Sequence, residues 1–337
     1  MARASGVLSA FADGWRRVRA APVLVAGVFA LTLLFALPLA ITMRGMIESH
    51  LGRSLAAGAA ADGVNYDWWQ EFAAQATGLG ATFTPSVIGF AATLDSIGGI
   101  ADGQAPAVSV RAALAAYLAG WLFLSGGLLD RYARQRPTRA PAFFSACGVY
   151  FLRFLRLGVM AGLVYWFLFT YVHEWLFDEW YVRATRDLAV ERTALLWRGG
   201  MYLIFGALLT AANLLFDYAK IRAVVEDRRS MLGALSAALG FILRHPGRTL
   251  ALYVLNTLMF LLLVAAWSLV APGAGSAGRS MWLGLFAGQL YVLARLALKL
   301  QFMASQTSLF QGTLAHASYV AAPVPVWPES PAAESLS

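Results

Sequence analysis

The sequence contains a single cysteine, Cys147, and this scarcity excludes a disulfide bond within the chain. Histidine is almost as rare, and the histidines lie too far apart in sequence to form a recognisable set of metal ligands. They are His50, His173, His245 and His316. The glycine-rich loops that bind nucleotides and the HExxH and GxSxG patterns of hydrolases are absent as well. The sequence therefore predicts neither a metal site nor a cofactor.

Charged residues are also scarce: they make up 13% of the chain, whereas hydrophobic residues make up 59%. Soluble domains carry about 25% charged and about 45–50% apolar residues, so this composition indicates a membrane protein. The net charge of +8 is compatible with nucleic-acid binding, but the arginines lie in short clusters beside apolar segments. Such clusters are typical of orientation signals at a membrane surface. We therefore expect the anionic lipids of the inner leaflet, and not nucleic acid, as partners.

Six apolar segments are each about long enough to cross the hydrocarbon core of a bilayer, which takes roughly 20 residues. They cover residues 20–43, 112–129, 158–177, 199–216, 249–270 and 281–303. The pattern predicts an all-α, polytopic membrane helix bundle with six transmembrane helices, in one integral membrane domain over residues 1–310. Residues 311–337 are rich in Ala, Pro and Ser and contain no Lys or Arg, so we expect a disordered cytoplasmic tail.

A long polar segment, residues 44–110, follows the first apolar segment and is predicted to be an insertion on the outer side. Within it, residues 66–80 and 85–97 each have the pattern of a helix that is too short to cross the membrane. The insertion is either an ordered cap over the ends of the transmembrane helices or a lid over a ligand site. A docking surface for another protein is a third interpretation.

The distribution of charge around these segments predicts how the chain crosses the membrane. With the N-terminus inside, the inner segments hold 18 of the 26 Lys and Arg residues but only seven of the 18 Asp and Glu residues. Because positively charged loops stay on the cytoplasmic side, we expect both termini in the cytoplasm. The predicted location is a bacterial inner membrane.

A short pattern recurs before the first, third and fifth apolar segments, in which a Ser-Ala pair is followed by an arginine eight residues after the serine. The serines are Ser9, Ser145 and Ser236, and the arginines are Arg17, Arg153 and Arg244. The pattern favours three amphipathic helices at the cytoplasmic surface, each of which starts a two-span unit in a threefold repeat. Independent use of the same kind of basic surface helix is the alternative.

Basic residues on or beside these amphipathic helices are predicted to contact lipid headgroups. Each cation near an anionic leaflet contributes about 1 kcal/mol to membrane binding. The residues concerned are Arg17, Arg153, Arg156, Arg244 and Arg248.

Polar side chains inside an apolar segment are costly and are therefore candidates for a functional site. The candidates in or beside the predicted cytoplasmic half of the membrane are Asn213, Asp217, Asn256, Arg295 and Lys299. In one interpretation Arg295 pairs with Asp217 or Asp130, an asparagine bridges the pair, and the cluster binds an anionic group or a lipid headgroup. In the other, the cations reach the membrane surface and the amides form ordinary interhelical hydrogen bonds of about 0.6 kcal/mol each.

His173, Glu174 and Asp178 form a second, weaker candidate site at the predicted outer end of the third span. A histidine and carboxylates could perform acid–base or metal-assisted hydrolysis there. The same stretch is equally typical of an aromatic belt with a solvated acidic rim, because Trp175 and Trp180 lie beside these residues.

Two stretches, YDWWQEFAAQATGLG and FDYAKIRAVVEDRRSMLGAL, resemble a loose group of multi-span bacterial inner-membrane proteins that have no assigned activity. The resemblance implies a bacterial membrane protein and supplies no catalytic residue. Three two-helix units also resemble the plan of mitochondrial carriers. The carriers' Pro-x-Asp/Glu-x-x-Lys/Arg signature is missing, however, so their transport function is not implied.

Together these patterns predict a non-enzymatic membrane protein, which is either a transporter-like or lipid-handling bundle or a structural subunit of a membrane complex. In the latter case its partners are other membrane protein subunits. The alternative is a membrane-embedded, lipid-modifying enzyme that uses the outer-face histidine and carboxylates. An enzyme should bring titratable groups together in one cavity, whereas a scaffold should have a filled bundle.

Overall fold

The computed structural model describes residues 6–52, 54–61, 63, 65–84, 98–99, 102–103, 108–271 and 279–316. These residues are mostly helical and contain no strand. In chain order the helices are α1 (Val7–Arg19), α2 (Pro22–Leu51), α3 (Ala57–Ala61), α4 (Tyr66–Gln75), α5 (Val108–Arg134), α6 (Ala140–Thr185), α7 (Glu191–Val225), α8 (Met231–Arg244), α9 (Pro246–Val270) and α10 (Arg279–His316).

Six of these helices are long and apolar enough to cross a membrane, namely α2, α5, α6, α7, α9 and α10. They contain the six predicted segments in the same order, which confirms the predicted all-α bundle. The helices extend beyond their apolar segments: α2, for example, ends at Leu51, although its apolar segment ends at residue 43. The additional turns contain polar and charged residues, so the helix is longer than its apolar segment.

Proline decides whether an amphipathic segment is separate from the span that follows it. Pro22 and Pro246 stand in the first turns of α2 and α9, and each follows a short amphipathic helix, α1 or α8. A first helical turn accommodates proline, but the ring lacks an N–H group and crowds the preceding turn, so the earlier helix ends before it. No proline follows Pro141 within α6. The surface helix predicted around Ser145 and Arg153 is therefore continuous with the third span, and the expectation of a separate helix is wrong there.

The three amphipathic segments pack in a similar manner against transmembrane helices. The first part of α6 packs on α5, α8 packs on α7, and α1 packs on α10. Because α1 and α10 are the first and last of the described helices, their contact closes the bundle into a ring. Within this ring, α5, α7 and α10 all contact one another.

Small residues allow close approach at these contacts. A Cβ atom added to Gly14 of α1 would lie 2.7 Å from the Ser305 Cβ of α10, and one added to Gly127 of α5 would lie 2.6 Å from the Cys147 Sγ of α6. Ala234 of α8 is fully buried in the apolar cluster that α7 and α8 share. Packing of small residues is the main way in which helices associate in a membrane, where lipid is as apolar as the protein.

The last transmembrane helix continues into the predicted tail, because α10 ends only at His316. Helices α1, α7 and α8 cover its final turns, and both Ser305 and Phe310 are fully buried. The Gln, Ser and Thr residues of these turns resemble a solvated segment, but tertiary packing stabilises the helix. The predicted tail is therefore wrong for residues 311–316, and residues 317–337 lie outside the described part of the chain.

The described part of the predicted outer insertion packs on the end of α2. Trp68 and Phe72 of α4 are buried, and the Trp68 indole N–H donates a hydrogen bond to His50 Nδ1 at 3.0 Å. Helix α4 confirms the helix predicted within residues 66–80. The helix predicted at residues 85–97 lies outside the described residues, and a lid over a ligand site stays a prediction.

Replacing Gly14 with alanine should destabilise the protein. The new methyl carbon would lie 2.8 Å from the Ser305 backbone nitrogen, and a helix backbone cannot move aside as a flexible side chain can. We expect a loss of about 1–3 kcal/mol, which is typical of overpacking, measured by thermal unfolding in detergent. Gly240→Ala in α8 is the matched control, because nothing lies within 4 Å of the added atom. Equal melting temperatures for the two variants would contradict the close approach of α1 and α10.

Candidate functional site

A cavity of about 470 Å³ lies between α2, α5, α9 and α10. Apolar and aromatic side chains form most of its wall, including Phe260 of α9 and Phe302 of α10. Within the described part of the chain, its charged lining residues are Arg295 and Lys299, both on α10. These two residues stand four positions apart, so they share one face of the helix. The cavity therefore combines an apolar wall with a positively charged side.

The two cations stand along the membrane-spanning length of α10 and not at its end, and both side chains are exposed. Helix α1 crosses α10 at Ser305, and Arg295 stands ten residues before that crossing. This is about 15 Å along a helix that rises 1.5 Å per residue, and Lys299 lies about 9 Å from the same point. The charged side of the cavity thus belongs to the membrane-spanning part of α10.

Aromatic rings, rather than a carboxylate, hold the Lys299 side chain. Its ammonium nitrogen lies 3.6 Å from the centre of the Trp121 ring and 5.8 Å from that of Tyr117, both on α5. A cation over an aromatic face gains about 0.5–1 kcal/mol at an exposed site, and the Lys299 side chain is exposed. Sequence reasoning misses both aromatic residues. Their spacing of four positions, the same as that of the two cations, is the one sequence signal that marks them.

Arg295 forms none of the ion pairs predicted for it. Asp130 pairs instead with Arg134 at 2.6 Å. Asp217 pairs with Lys220 at 2.7 Å. Both contacts join residues within about one turn of the same helix, so they form without ordering a side chain from another helix. The predicted pairing of Arg295 is therefore wrong, and no ion pair in the described part of the chain neutralises its charge.

The Asp217–Lys220 pair belongs to α7, which contacts both α5 and α10. Helix α5 supplies Trp121 and α10 supplies Lys299 to the cation–π contact. Arg295 and Lys299 line the cavity, whereas Asp217 does not. The cavity wall therefore contains two of the three charged members of the predicted cluster.

The two asparagines of the predicted cluster join helices instead of lining the cavity. Tyr165 of α6 donates a hydrogen bond to the Asn213 side-chain oxygen of α7 at 2.6 Å. The buried Asn256 amide of α9 donates to the Ser305 hydroxyl oxygen of α10 at 3.0 Å. Neither asparagine forms part of the cavity wall. The predicted bridging of an ion pair by an asparagine is therefore wrong.

Arg17, which is predicted to contact lipid headgroups, is buried, with only 5% of its surface exposed. Its guanidinium donates hydrogen bonds to the Asp13 carboxylate at 2.8 Å, the Tyr132 carbonyl oxygen at 2.8 Å and the Gln311 side-chain oxygen at 2.9 Å. These acceptors belong to α1, α5 and α10, so one side chain ties three helices together. The lipid prediction is wrong for Arg17, because α1 packs against protein on the face that carries this residue.

The groups around the Asp13 carboxylate also determine its pKa. This carboxylate accepts a hydrogen bond from the Ser308 hydroxyl at 2.6 Å. Partial burial opposes ionisation, but this hydrogen bond and the charges of Arg17 and Arg16 outweigh it and hold the pKa of Asp13 below its ordinary value of 3.8. The cluster is therefore ionised at neutral pH.

Arg153, the second residue predicted to contact lipid headgroups, also contacts protein side chains. Arg153 donates a hydrogen bond to the Asp227 carboxylate at 2.6 Å and lies over the Tyr150 ring. These contacts arise because the connector after α7 folds back over α6, and they correct the headgroup prediction for Arg153. The side chains of the other three predicted ligands are exposed, and their contact with lipid headgroups stays a prediction. They are Arg156, Arg244 and Arg248.

The connector between α7 and α8 contains another charged cluster. Arg222 donates a hydrogen bond to the Glu226 carboxylate at 2.7 Å, and Arg228 pairs with the same carboxylate. Burial opposes ionisation, but the hydrogen bonds from Arg222 and Arg228 hold the pKa of Glu226 below its ordinary value of 4.5. Arg222 also lies over the Phe310 ring, 5.3 Å from its centre. Charges that look exposed in the sequence thus join α7 to the end of α10.

The candidates predicted at the outer face do not form a metal site among the described residues. The His173 ring stacks on Phe177 with 4.5 Å between ring centres and also contacts Phe205. Glu174 and Asp178 are exposed. Among the described residues, no group of three His, Cys, Asp or Glu side chains could hold a metal ion. These residues lie in or beside two π-helical stretches, Leu168–Val172 and Trp175–Trp180, and an acid–base role for them stays a prediction.

Replacing Arg17 with methionine should lower the free energy of unfolding by about 3–5 kcal/mol, the usual result of removing one partner of a buried ion pair. Denaturant unfolding of the purified protein in detergent measures this loss. Arg16→Met is the matched control, because the Arg16 side chain is 71% exposed although it pairs with the same carboxylate. A small and equal effect of both substitutions would instead agree with a lipid-facing Arg17.

Comparison with protein-family models, with curated proteins and with solved structures finds no match for this chain. Its function is therefore inferred from the cavity, the charges beside it and the helices that hold them.

Proposed function

We propose that this protein is a non-enzymatic, lipid-handling membrane bundle whose cavity binds the anionic headgroup of a lipid. The pair of cations, Arg295 and Lys299, carries this proposal, since no carboxylate lines the cavity in the described part of the chain. An arginine in the middle of a transmembrane helix costs roughly 2.5–3.5 kcal/mol. An anion bound beside Arg295 would offset that cost.

The size and lining of the cavity fit one end of a lipid. Ligand pockets commonly have volumes of about 300–1,000 Å³, and this cavity falls within that range. Phe260, Leu296 and Phe302 offer apolar surface next to the cations, and the acyl chains of a bound lipid would continue into the bilayer. A small inorganic anion would use the charges but not this apolar wall.

The membrane proposed for the protein is the bacterial inner membrane, with both termini in the cytoplasm. The excess of Lys and Arg in the inner segments supports this orientation, as does the resemblance to bacterial inner-membrane proteins. In this orientation, Arg295 and Lys299 lie in the cytoplasmic half of the membrane. The cytoplasmic leaflet is the one that carries the negative surface potential, so the proposed ligand is available there.

We also infer that the bundle consists of three repeated two-span units. Each amphipathic segment packs on a helix that ends the unit before it, and α1 completes this pattern on α10. Independent use of three surface helices would not require the first to close on the last unit. The proposed lipid site then depends on residues that the three units do not share, above all the cations of α10.

The other two candidate functions have less support among the described residues. A structural subunit of a complex has no need for unpaired cations at a cavity. A lipid-modifying enzyme at the outer face would use Glu174 and Asp178, and both of these carboxylates are exposed.

The proposed orientation predicts which positions an impermeant thiol reagent can reach in intact spheroplasts. In a Cys147→Ala background, Ala59→Cys in the outer insertion should be labelled, because its side chain is exposed. Arg229→Cys in the connector after α7 should be labelled only after the membrane is permeabilised. The Cys147→Ala protein without a new cysteine is the control, and labelling of Arg229→Cys in intact cells would refute the orientation.

The proposed cavity site predicts that the purified protein binds phosphatidylglycerol in preference to phosphatidylcholine with the same acyl chains. Native mass spectrometry of the protein with each lipid measures this preference. Arg295→Gln should weaken the preference about ten-fold, because charge-assisted hydrogen bonds to the phosphate are lost. Arg136→Gln is the matched control, since it removes one exposed positive charge in the connector after α5. An equal effect of both substitutions would show general attraction to a basic surface and would refute the site.

A further inference from the structure

The charges around the cavity do not balance within the described residues. Asp217 and Lys220 neutralise each other at 2.7 Å. Lys299 lies over aromatic rings, and Arg295 has no ion pair in the described part of the chain. Two positive charges therefore remain at one side of a cavity with an apolar wall. A ligand with two negative charges would compensate them fully, and a ligand with one would not.

The spacing of the two cations also suits a single phosphate group. Residues four positions apart lie about 6 Å apart along one face of a helix, so both long side chains can reach the same phosphate group. The planar Arg295 guanidinium can donate to two phosphate oxygens, and the Lys299 ammonium can donate to a third. A phosphate monoester has three terminal oxygens, whereas a phosphodiester has two.

The position of Lys299 leaves it available to such a ligand. Its ammonium lies on the Trp121 face, so binding an anion requires no ion pair of Lys299 to break. Asp217 on α7 pairs with Lys220 and not with this ammonium. Lys299 can therefore contact an anionic headgroup together with Arg295.

We propose that the cavity selects a lipid phosphate monoester, whose terminal phosphate contacts both Arg295 and Lys299, over a lipid phosphodiester. This proposal rests on the proposed function, since it names the class of lipid that the same site takes. The apolar side chains beside the cations, Phe260, Leu296 and Phe302, favour a lipid over a soluble phosphate ester with the same headgroup chemistry.

Competition between lipids with identical acyl chains tests the proposal. At pH 7.5 the purified chain in neutral detergent should bind phosphatidic acid about ten-fold more tightly than phosphatidylglycerol, a difference of one ionic contact. Arg295→Gln and Lys299→Gln should each reduce this ratio to about three-fold or less, since each removes one of the two charges. Arg295→Lys keeps the charge and should retain part of the ratio, whereas Arg136→Gln should leave it unchanged. Thermal unfolding shows that each variant is folded.

The pH dependence of lipid binding provides a second readout, because it reports the protonation of the lipid phosphate. A phosphate monoester loses its second proton at a pKa of about 6, so phosphatidic acid carries fewer charges at pH 5 than at pH 7.5. The preference for it over phosphatidylglycerol should shrink at pH 5. The charged groups that line the cavity are Arg295 and Lys299, and the Asp217–Lys220 pair belongs to α7, which contacts α10.

The possible outcomes separate this proposal from the proposed function. Equal binding of the two anionic lipids at pH 7.5, or a ratio that neither cation controls, would overturn selection of the monoester. The proposed function would stand if the protein still binds phosphatidylglycerol more tightly than phosphatidylcholine and if this preference depends on Arg295. Displacement of phosphatidic acid by equal concentrations of inorganic phosphate or glycerol 3-phosphate would assign the site to a soluble phosphate and would overturn the lipid source.

Discussion

The Arg17 guanidinium lies where α1, α5 and α10 meet, and its hydrogen bonds reach an acceptor on each of them. An arginine buried to this degree is stable only when its donors are satisfied, so the three helices must be present together. Close packing imposes a second requirement at the same contact. At Gly14, α1 approaches α10 too closely for any side chain. These contacts turn a chain of helices into a closed ring.

Ring closure also positions the candidate site. Helix α10 carries Arg295 and Lys299, and the turns that follow them are held by α1, by the Asn256–Ser305 hydrogen bond and by Arg222 over the Phe310 ring. The end of α10 is polar in sequence yet buried in the bundle. Its Gln and Ser residues supply hydrogen bonds to other helices, so the cations beside the cavity rest on a helix that is fixed from several sides.

The pattern of ion pairs explains why the cavity is positive. Asp130, Asp217 and Glu226 each pair with a cation within about one turn of their own helix. Local pairs of this kind occupy these three carboxylates, so none of the three pairs with a cation of α10. Lys299 therefore lies against Trp121, and Arg295 faces the cavity without an ion pair in the described residues. The proposed affinity for an anionic headgroup follows from this division of partners.

The sequence by itself determined the class of fold, the order of the six spans and the positions at which Pro22 and Pro246 separate surface helices from spans, because hydropathy and proline geometry act locally. Only the tertiary structure decided which charges face protein. Arg17 and Arg244 occupy the same place in the recurring pattern, yet one is buried and the other exposed. An amphipathic pattern shows that a face avoids water, but lipid and protein satisfy it equally. The partner of each face depends on contacts between helices that are distant in sequence.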